Sequence, residues 1–221
     1  MNGQFWRKAQ QHLRAITAFD PGLKVTPVNR STKTLFGFAL QQVTYTPKNR
    51  RNEGRKLVDS IVNTVSTTRD VVIFPFQGSN PYTDPTEVAL LKSQFPWINQ
   101  TQTQYILSDL GGGLSSTRTD PTTSTLVWSV EYDCLTKPSY HAAPAAGSGS
   151  VPMTRPEILF HELAHIDMEA STTVVVGPPI GPQYKEFVVI SRENGFRLSQ
   201  NPRLTVAQLR STTNLAIVVV P

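Results

Sequence analysis

The run His161-Glu162-Leu163-Ala164-His165 constrains this chain more than any other stretch of it. Four residues of α-helix return a side chain to the same face, so a helix here aims both imidazoles at one point and sets Glu162 beside it. This is the HExxH pattern, in which the two histidines ligate Zn²⁺ and the glutamate acts as general base toward water. A catalytic zinc takes three protein ligands and keeps one position open, so the pair demands a third ligand elsewhere. The flanking sequence supports the helix independently. Thr154-Arg155-Pro156-Glu157 has the S/T-x-x-E form of a capping box, with proline in the first turn, where a missing N–H is no loss. Ile158, Leu159, Leu163 and Ile166 add an apolar stripe, and the pattern predicts a helix over 155–170.

A length of 221 residues suits one domain with a sizeable core, and 1–221 reads as a single catalytic domain with 1–30 as an N-terminal helical extension. The single cysteine, Cys134, excludes an intrachain disulfide and reads as a small buried apolar residue. No stretch has the roughly eighteen apolar residues of a membrane span. The start, Met1-Asn2-Gly3-Gln4-Phe5-Trp6-Arg7-Lys8, lacks the apolar centre of a signal peptide, so export would use another route. The formal charge of +5 is spread along the chain, with one basic cluster at Lys48 to Lys56 that reads as a solvated turn. Neither a nucleic-acid nor a membrane partner is expected, and the chain is expected to be a monomer.

Alternating signals along the chain predict an α+β fold. Phe5 to Phe19 reads as an amphipathic helix, Leu35 to Tyr45 as a strand, Asn52 to Val65 as a helix and Val71 to Phe74 as a buried strand. Asp84-Pro85-Thr86-Glu87 opens a short helix to about Ser93 by cap-plus-proline logic. Leu110 to Ser124, with Gly111-Gly112-Gly113, reads as a flexible loop and lacks the residues of a phosphate-binding loop. Ser124 to Tyr132 is a strong strand, expected at the edge of a small mixed sheet beside the motif helix, where an extended substrate can pair with it. Pro138 to Pro152 reads as a mobile connection, and Leu215 to Val220 as a terminal or an interface strand.

No histidine follows His165, which excludes the HExxHxxGxxH pattern and leaves a carboxylate as third ligand. Asp167 points to the other side of the helix and Glu169 lies too far along it. Glu193, in Ser191-Arg192-Glu193-Asn194-Gly195-Phe196-Arg197, comes first, on a helix beginning near Ser191 that crosses the motif helix. Glu186, in Tyr184-Lys185-Glu186-Phe187-Val188-Val189, comes second, in a segment that reads as strand or exposed helix edge.

Ile158 to His165, Lys185-Glu186-Phe187, Arg192 to Arg197 and Pro202-Arg203 together resemble the NleD-like type III effector metallopeptidases. The likeness covers the last third to half of the chain. It implies a zincin-like fold and a zinc-dependent endopeptidase that a bacterium delivers, without a classical signal peptide, into the cytoplasm of a host or target cell. It also implies Glu193 as third ligand and Arg197 or Arg203 as site arginines. No tyrosine follows Pro202-Arg203, so Tyr184 and Arg197 stand in as the donors for the oxyanion. His141 is a further candidate.

These readings predict hydrolysis of peptide bonds in an extended protein substrate, with Zn²⁺ held by His161, His165 and Glu193, Glu162 as the base, and Tyr184 and Arg197 assisting. The alternative is a zinc-binding pseudo-enzyme that acts as a protein-binding module.

Overall fold

The computed structural model describes residues 2–28, 34–35, 38–49, 51–75, 113–120, 122–132, 134, 139–172, 182–213 and 217–220. They form the α+β mixture expected, with small sheets arranged around a central motif helix.

Helix α1 (Asn2–Ile16) buries Phe5, Ala9, Leu13 and Ile16, a spacing that puts all four on one face. It stops short of Phe19 because Ala18 and Phe19 take φ of 52° and 54°, the left-handed region that a helix of L-residues does not continue through. Those four side chains join the same apolar cluster as the motif helix, so α1 is built into the core rather than appended to it. Strand β1 (Leu23–Pro27) pairs antiparallel with β4 (Gln41–Tyr45). The strand expected from Leu35 begins only at Gln41 and is preceded by a short hairpin of β2 (Thr34–Leu35) and β3 (Phe38–Ala39). Helix α2 (Glu53–Ser60) starts on Asn52, whose side chain accepts the Arg55 N–H at 3.2 Å. It continues through a π-helical turn, Ile61–Val65, to Thr68.

Strands β5 (Val71–Pro75), β6 (Gly113–Thr119) and β7 (Leu126–Tyr132) make a mixed sheet in the order β5-β7-β6. β5 is parallel and β6 antiparallel to β7. Two expectations are corrected here. β7 was expected at the edge, but every residue from Val127 to Tyr132 is buried, which marks a strand covered on both faces, and it is the central strand. The edge beside the motif helix is β6, which lies in the stretch expected to be a loop. Gly, Ser and Thr give β6 little propensity of its own; its unbroken register with β7, from Gly113↔Tyr132 to Thr119↔Leu126, holds it extended. The helix expected at 84–93 lies outside the described residues.

The connection at 138–152 is also more ordered than its composition suggests. It contains β8 (Ser139–Ala142) and β9 (Val151–Met153), paired antiparallel, and β10 (Ile217–Val220) pairs with the other edge of β8. The C-terminal apolar run is therefore a strand of this fold.

Helix α3 (Arg155–Thr172) carries the motif. The Glu157 carboxylate accepts the Thr154 N–H at 2.7 Å, the carboxylate half of the predicted capping box, and also accepts the Thr154 hydroxyl at 2.8 Å. Ile158, Leu159, Phe160, Leu163, Ala164 and Ile166 are all buried, so α3 is covered on nearly every side. Helix α4 (Pro182–Gln200) begins well before Ser191, and of the two readings of Tyr184 to Val189 it takes the helical one. Phe160 stacks on Phe196 with ring centroids 4.5 Å apart. Lys185–Glu169 at 2.9 Å and Arg192–Asp167 at 2.8 Å link the same two helices. A partly exposed ion pair contributes about 0–1 kcal/mol, against about 1.5–3 kcal/mol for burying one phenylalanine, so the apolar contact sets how α4 lies on α3. Among the described residues no helix is long and apolar enough to cross a membrane.

Candidate metal centre

The motif helix does what its spacing predicts. The Nε2 atoms of His161 and His165 lie 3.1 Å apart, with the rings nearly perpendicular at 75°. The third donor is Glu186: Oε1 is 2.9 Å from His165 Nε2 and Oε2 is 3.5 Å from His161 Nε2. These three residues present donor atoms all within 4.8 Å of one another. Two nitrogens each about 2.0–2.1 Å from a tetrahedral zinc stand about 3.3 Å apart, so the imidazole separation fits one shared ion. The donor set, two imidazoles and a carboxylate, is one that zinc takes in catalytic sites.

Glu193, the first choice as third ligand, is placed differently. It sits seven residues beyond Glu186, two turns along the same face of α4, and reaches the opposite edge of the same ring: Oε2 is 3.1 Å from His161 Nδ1. Glu193 is fully buried, and a carboxylate taken out of water in this way needs charged partners. Arg197 holds its Oε1 through Nε at 3.2 Å, while Nη2 reaches Glu157 at 3.1 Å and the Pro152 carbonyl at 3.2 Å. Arg197 was expected to act on the substrate; its bonds instead make it a strut between α4, the start of α3 and β9. Arg210, which the sequence did not single out, brings Nη1 to 2.6 Å from Glu193 Oε2. The only sequence signal for it is indirect, since a buried carboxylate at 193 needs cations around it.

The charges around these donors favour a cation between them. Burial disfavours the His161 cation, but the Glu186 charge and hydrogen bonds to Glu186 and Glu193 outweigh it and lift His161 from 6.5 to about 10. Burial likewise pushes Glu186 up, and the two histidines more than reverse it, leaving its carboxyl well below the usual range. A proton thus takes the place of a cation between these groups. His12 moves the other way: burial, with Lys8 and Arg155 nearby, lowers it to about 4, and its Nδ1 lies 2.7 Å from the Tyr132 hydroxyl.

These shifts give a pH prediction for chelator-treated protein. The raised His161 contributes stability that is fully present below 6.5 and is lost as pH rises through about 10. The depressed His12 must stay neutral in the fold, so stability falls as pH drops from 6.5 toward 4. Thermal melts of the metal-free chain should therefore peak near pH 6.5, and zinc should remove the alkaline decline by replacing the proton. Metal-free stability that rises steadily from pH 6.5 to 10 would contradict this.

Glu162 lies beside the donors and is 6 % exposed. Burial raises its pKa, opposed by the charges of His161 and His165 and by a hydrogen bond with Ser115 of β6. Gly113, at the start of β6, comes so close that a Cβ there would lie 2.6 Å from Glu162 Cγ and 2.7 Å from its Oε1. The third of the three glycines is thus the point where the edge strand meets Glu162, a contact that the loop reading missed.

His141 is not among the three converging donors, and its Nδ1 pairs with Ser150 Oγ at 2.9 Å. Arg203 is exposed in the turn after α4. Tyr184 belongs to α4, and its side chain lies outside the described residues. Comparison with known proteins finds no matching family model, no matching curated protein and no matching solved structure. Geometry rather than kinship carries the functional reading.

Proposed function

We propose that this chain is a zinc-dependent endopeptidase that cuts a protein substrate bound in extended form. The observation that carries the reading is the convergence of His161, His165 and Glu186 with Glu162 beside them against the edge strand β6. Bound zinc supplies a Lewis acid that lowers the pKa of water and polarises a carbonyl. His161, His165 and Glu186 would hold it. Glu162 would take the proton of the attacking water and deliver it to the departing amine, and a base whose pKa is raised by burial is better matched to that exchange near neutral pH. β6 has one partner, β7, among the described residues, and its other edge would pair with the substrate backbone. Ser115 and the bare backbone of Gly113 would fix how Glu162 meets that strand.

The likeness to NleD-like effectors extends this proposal to a zincin-like fold and to a protein that a bacterium delivers into another cell. The test is proteome-wide labelling of new termini in a lysate incubated with zinc-loaded chain, with chelator-treated chain, or with Glu162→Gln. New termini are expected with the first alone. Equal cleavage by Glu162→Gln would contradict the assigned base. Retained zinc without new termini in any lysate would favour the alternative, a zinc-holding protein-binding module.

A further inference from the structure

We propose that Arg210 is a positioning residue for the metal centre, fixing through Glu193 the tautomer of His161 that leaves its Nε2 lone pair free for zinc. The inference rests on the zinc reading above and concerns a residue outside the motif and both of its helices.

The argument is one of donors and acceptors. Three groups meet at one edge of His161: Nδ1 lies 3.1 Å from Glu193 Oε2 and 3.2 Å from Arg210 Nη1, while that Nη1 lies 2.6 Å from Glu193 Oε2. A guanidinium only donates and a carboxylate only accepts, whereas a neutral imidazole nitrogen does one or the other. Were Nδ1 bare, its lone pair would face the carboxylate oxygen, and Nε2 would carry the proton toward His165 and Glu186. Arg210 decides between the two arrangements. Nη1 carries two N–H groups; its much shorter, charge-assisted bond to Glu193 keeps Oε2 ionised and so an acceptor at Nδ1, while Nη1 itself stays 3.2 Å from that nitrogen. Nδ1 donates to that ionised oxygen, and Nε2 offers its lone pair to zinc once the ion displaces the proton held among the converging donors. A carboxylate on the far nitrogen of a ligating histidine orients the ring and raises its basicity.

The surroundings hold Arg210 to this task. The Asn194 side chain clamps its backbone twice, donating to its carbonyl and accepting its N–H, each at 2.9 Å. Arg210 forms a β-bridge with Pro144, and the flanking bonds Ala145 N–H to the Leu209 carbonyl and Ser211 N–H to the Ala143 carbonyl, both 2.8 Å, fasten the segment to the β8–β9 connection. Arg210 is 2 % exposed, and its Nε has no hydrogen-bond partner among the described residues. A buried donor left unpaired is destabilising, so this placement serves Glu193 and His161 at the expense of the fold.

The test compares wild type, Arg210→Met, Arg210→Lys, Glu193→Gln and the Arg210→Met/Glu193→Gln pair. Zinc affinity is read by competition with a chromophoric chelator, and the His161 tautomer by long-range ¹H–¹⁵N correlation spectra of the zinc-loaded chain. Each non-conservative single variant should lose about 10–100-fold in zinc affinity, the size of effect expected for a partner behind a ligand. The pair should lose little more than either alone, because the two residues act as one unit. Arg210→Lys should recover part of the loss, and the His161 Nδ1–H signal should weaken in Arg210→Met. A purely structural arginine would lower the melting temperature and leave both readouts unchanged, which overturns the proposal. If Arg210→Met does not fold, Asn194→Ala releases the clamp while keeping the guanidinium; weakened zinc binding then supports the proposal, and unchanged binding overturns it. Wild-type chain that takes up no zinc overturns the reading beneath, whereas zinc held equally by wild type and Arg210→Met overturns this one alone.

Discussion

Glu186→Ala is expected to lower zinc affinity by more than the roughly 10–100-fold loss that attends removal of a partner behind a ligand. Glu186 places Oε1 and Oε2 at 2.9 and 3.5 Å from the two Nε2 atoms, while Glu193 bears only on the far nitrogen of His161. On the proposed reading, removing Glu186 takes away a ligand. Removing the Glu193 carboxylate leaves all three donors and disturbs the orientation of one. The order of the two variants, measured by chelator competition at one pH, therefore separates ligand from support. A larger loss in Glu193→Ala than in Glu186→Ala would restore the ligand set that the sequence put first.

Gly113→Ala is expected to reduce peptide hydrolysis by about 10²-fold, with zinc content and melting temperature near those of wild type. The added Cβ would meet Glu162 Cγ at 2.6 Å and Cδ at 2.9 Å, closer than carbon atoms tolerate. Something must move, and the end of a glutamate side chain yields more easily than a strand held in register along its whole length by β7. The fold survives, and the base leaves its position. General-base catalysis is worth about 10²–10⁴-fold, so a displaced Glu162 loses much of that. Chain rate and metal content measured on one preparation check it: wild-type turnover in Gly113→Ala would show that the carboxylate has no fixed task.

What could be read from the sequence was what a few neighbouring residues determine. The motif helix was legible because its capping box, proline and i, i+4 histidines all act within two turns. The choice between Glu186 and Glu193 was not, because both lie on one face of α4, and only the lie of that helix against His161 decides which edge of the ring each meets. Reading Tyr184 to Val189 as either strand or exposed helix edge compounded the difficulty, since only the second choice joins it to the helix that carries Glu193. β6 was hidden by its glycine, serine and threonine content, since its extended form comes from pairing with β7 rather than from its own propensity. β8 stayed hidden in a connection rich in Ala, Gly and Ser, whereas the Ile-Val-Val-Val run of β10 was legible as a strand and only its partner, β8, was not. Arg210 sits in an irregular segment 49 residues beyond His161, where no periodicity points to it.

The central claim is that His161, His165 and Glu186 hold one zinc ion. Its most direct test is the metal content of wild-type chain equilibrated with excess zinc and then dialysed, beside His165→Ala treated alike. The account predicts about one zinc per chain for wild type and essentially none for the variant. Wild-type protein that retains no zinc, or His165→Ala that retains as much as wild type, would contradict it.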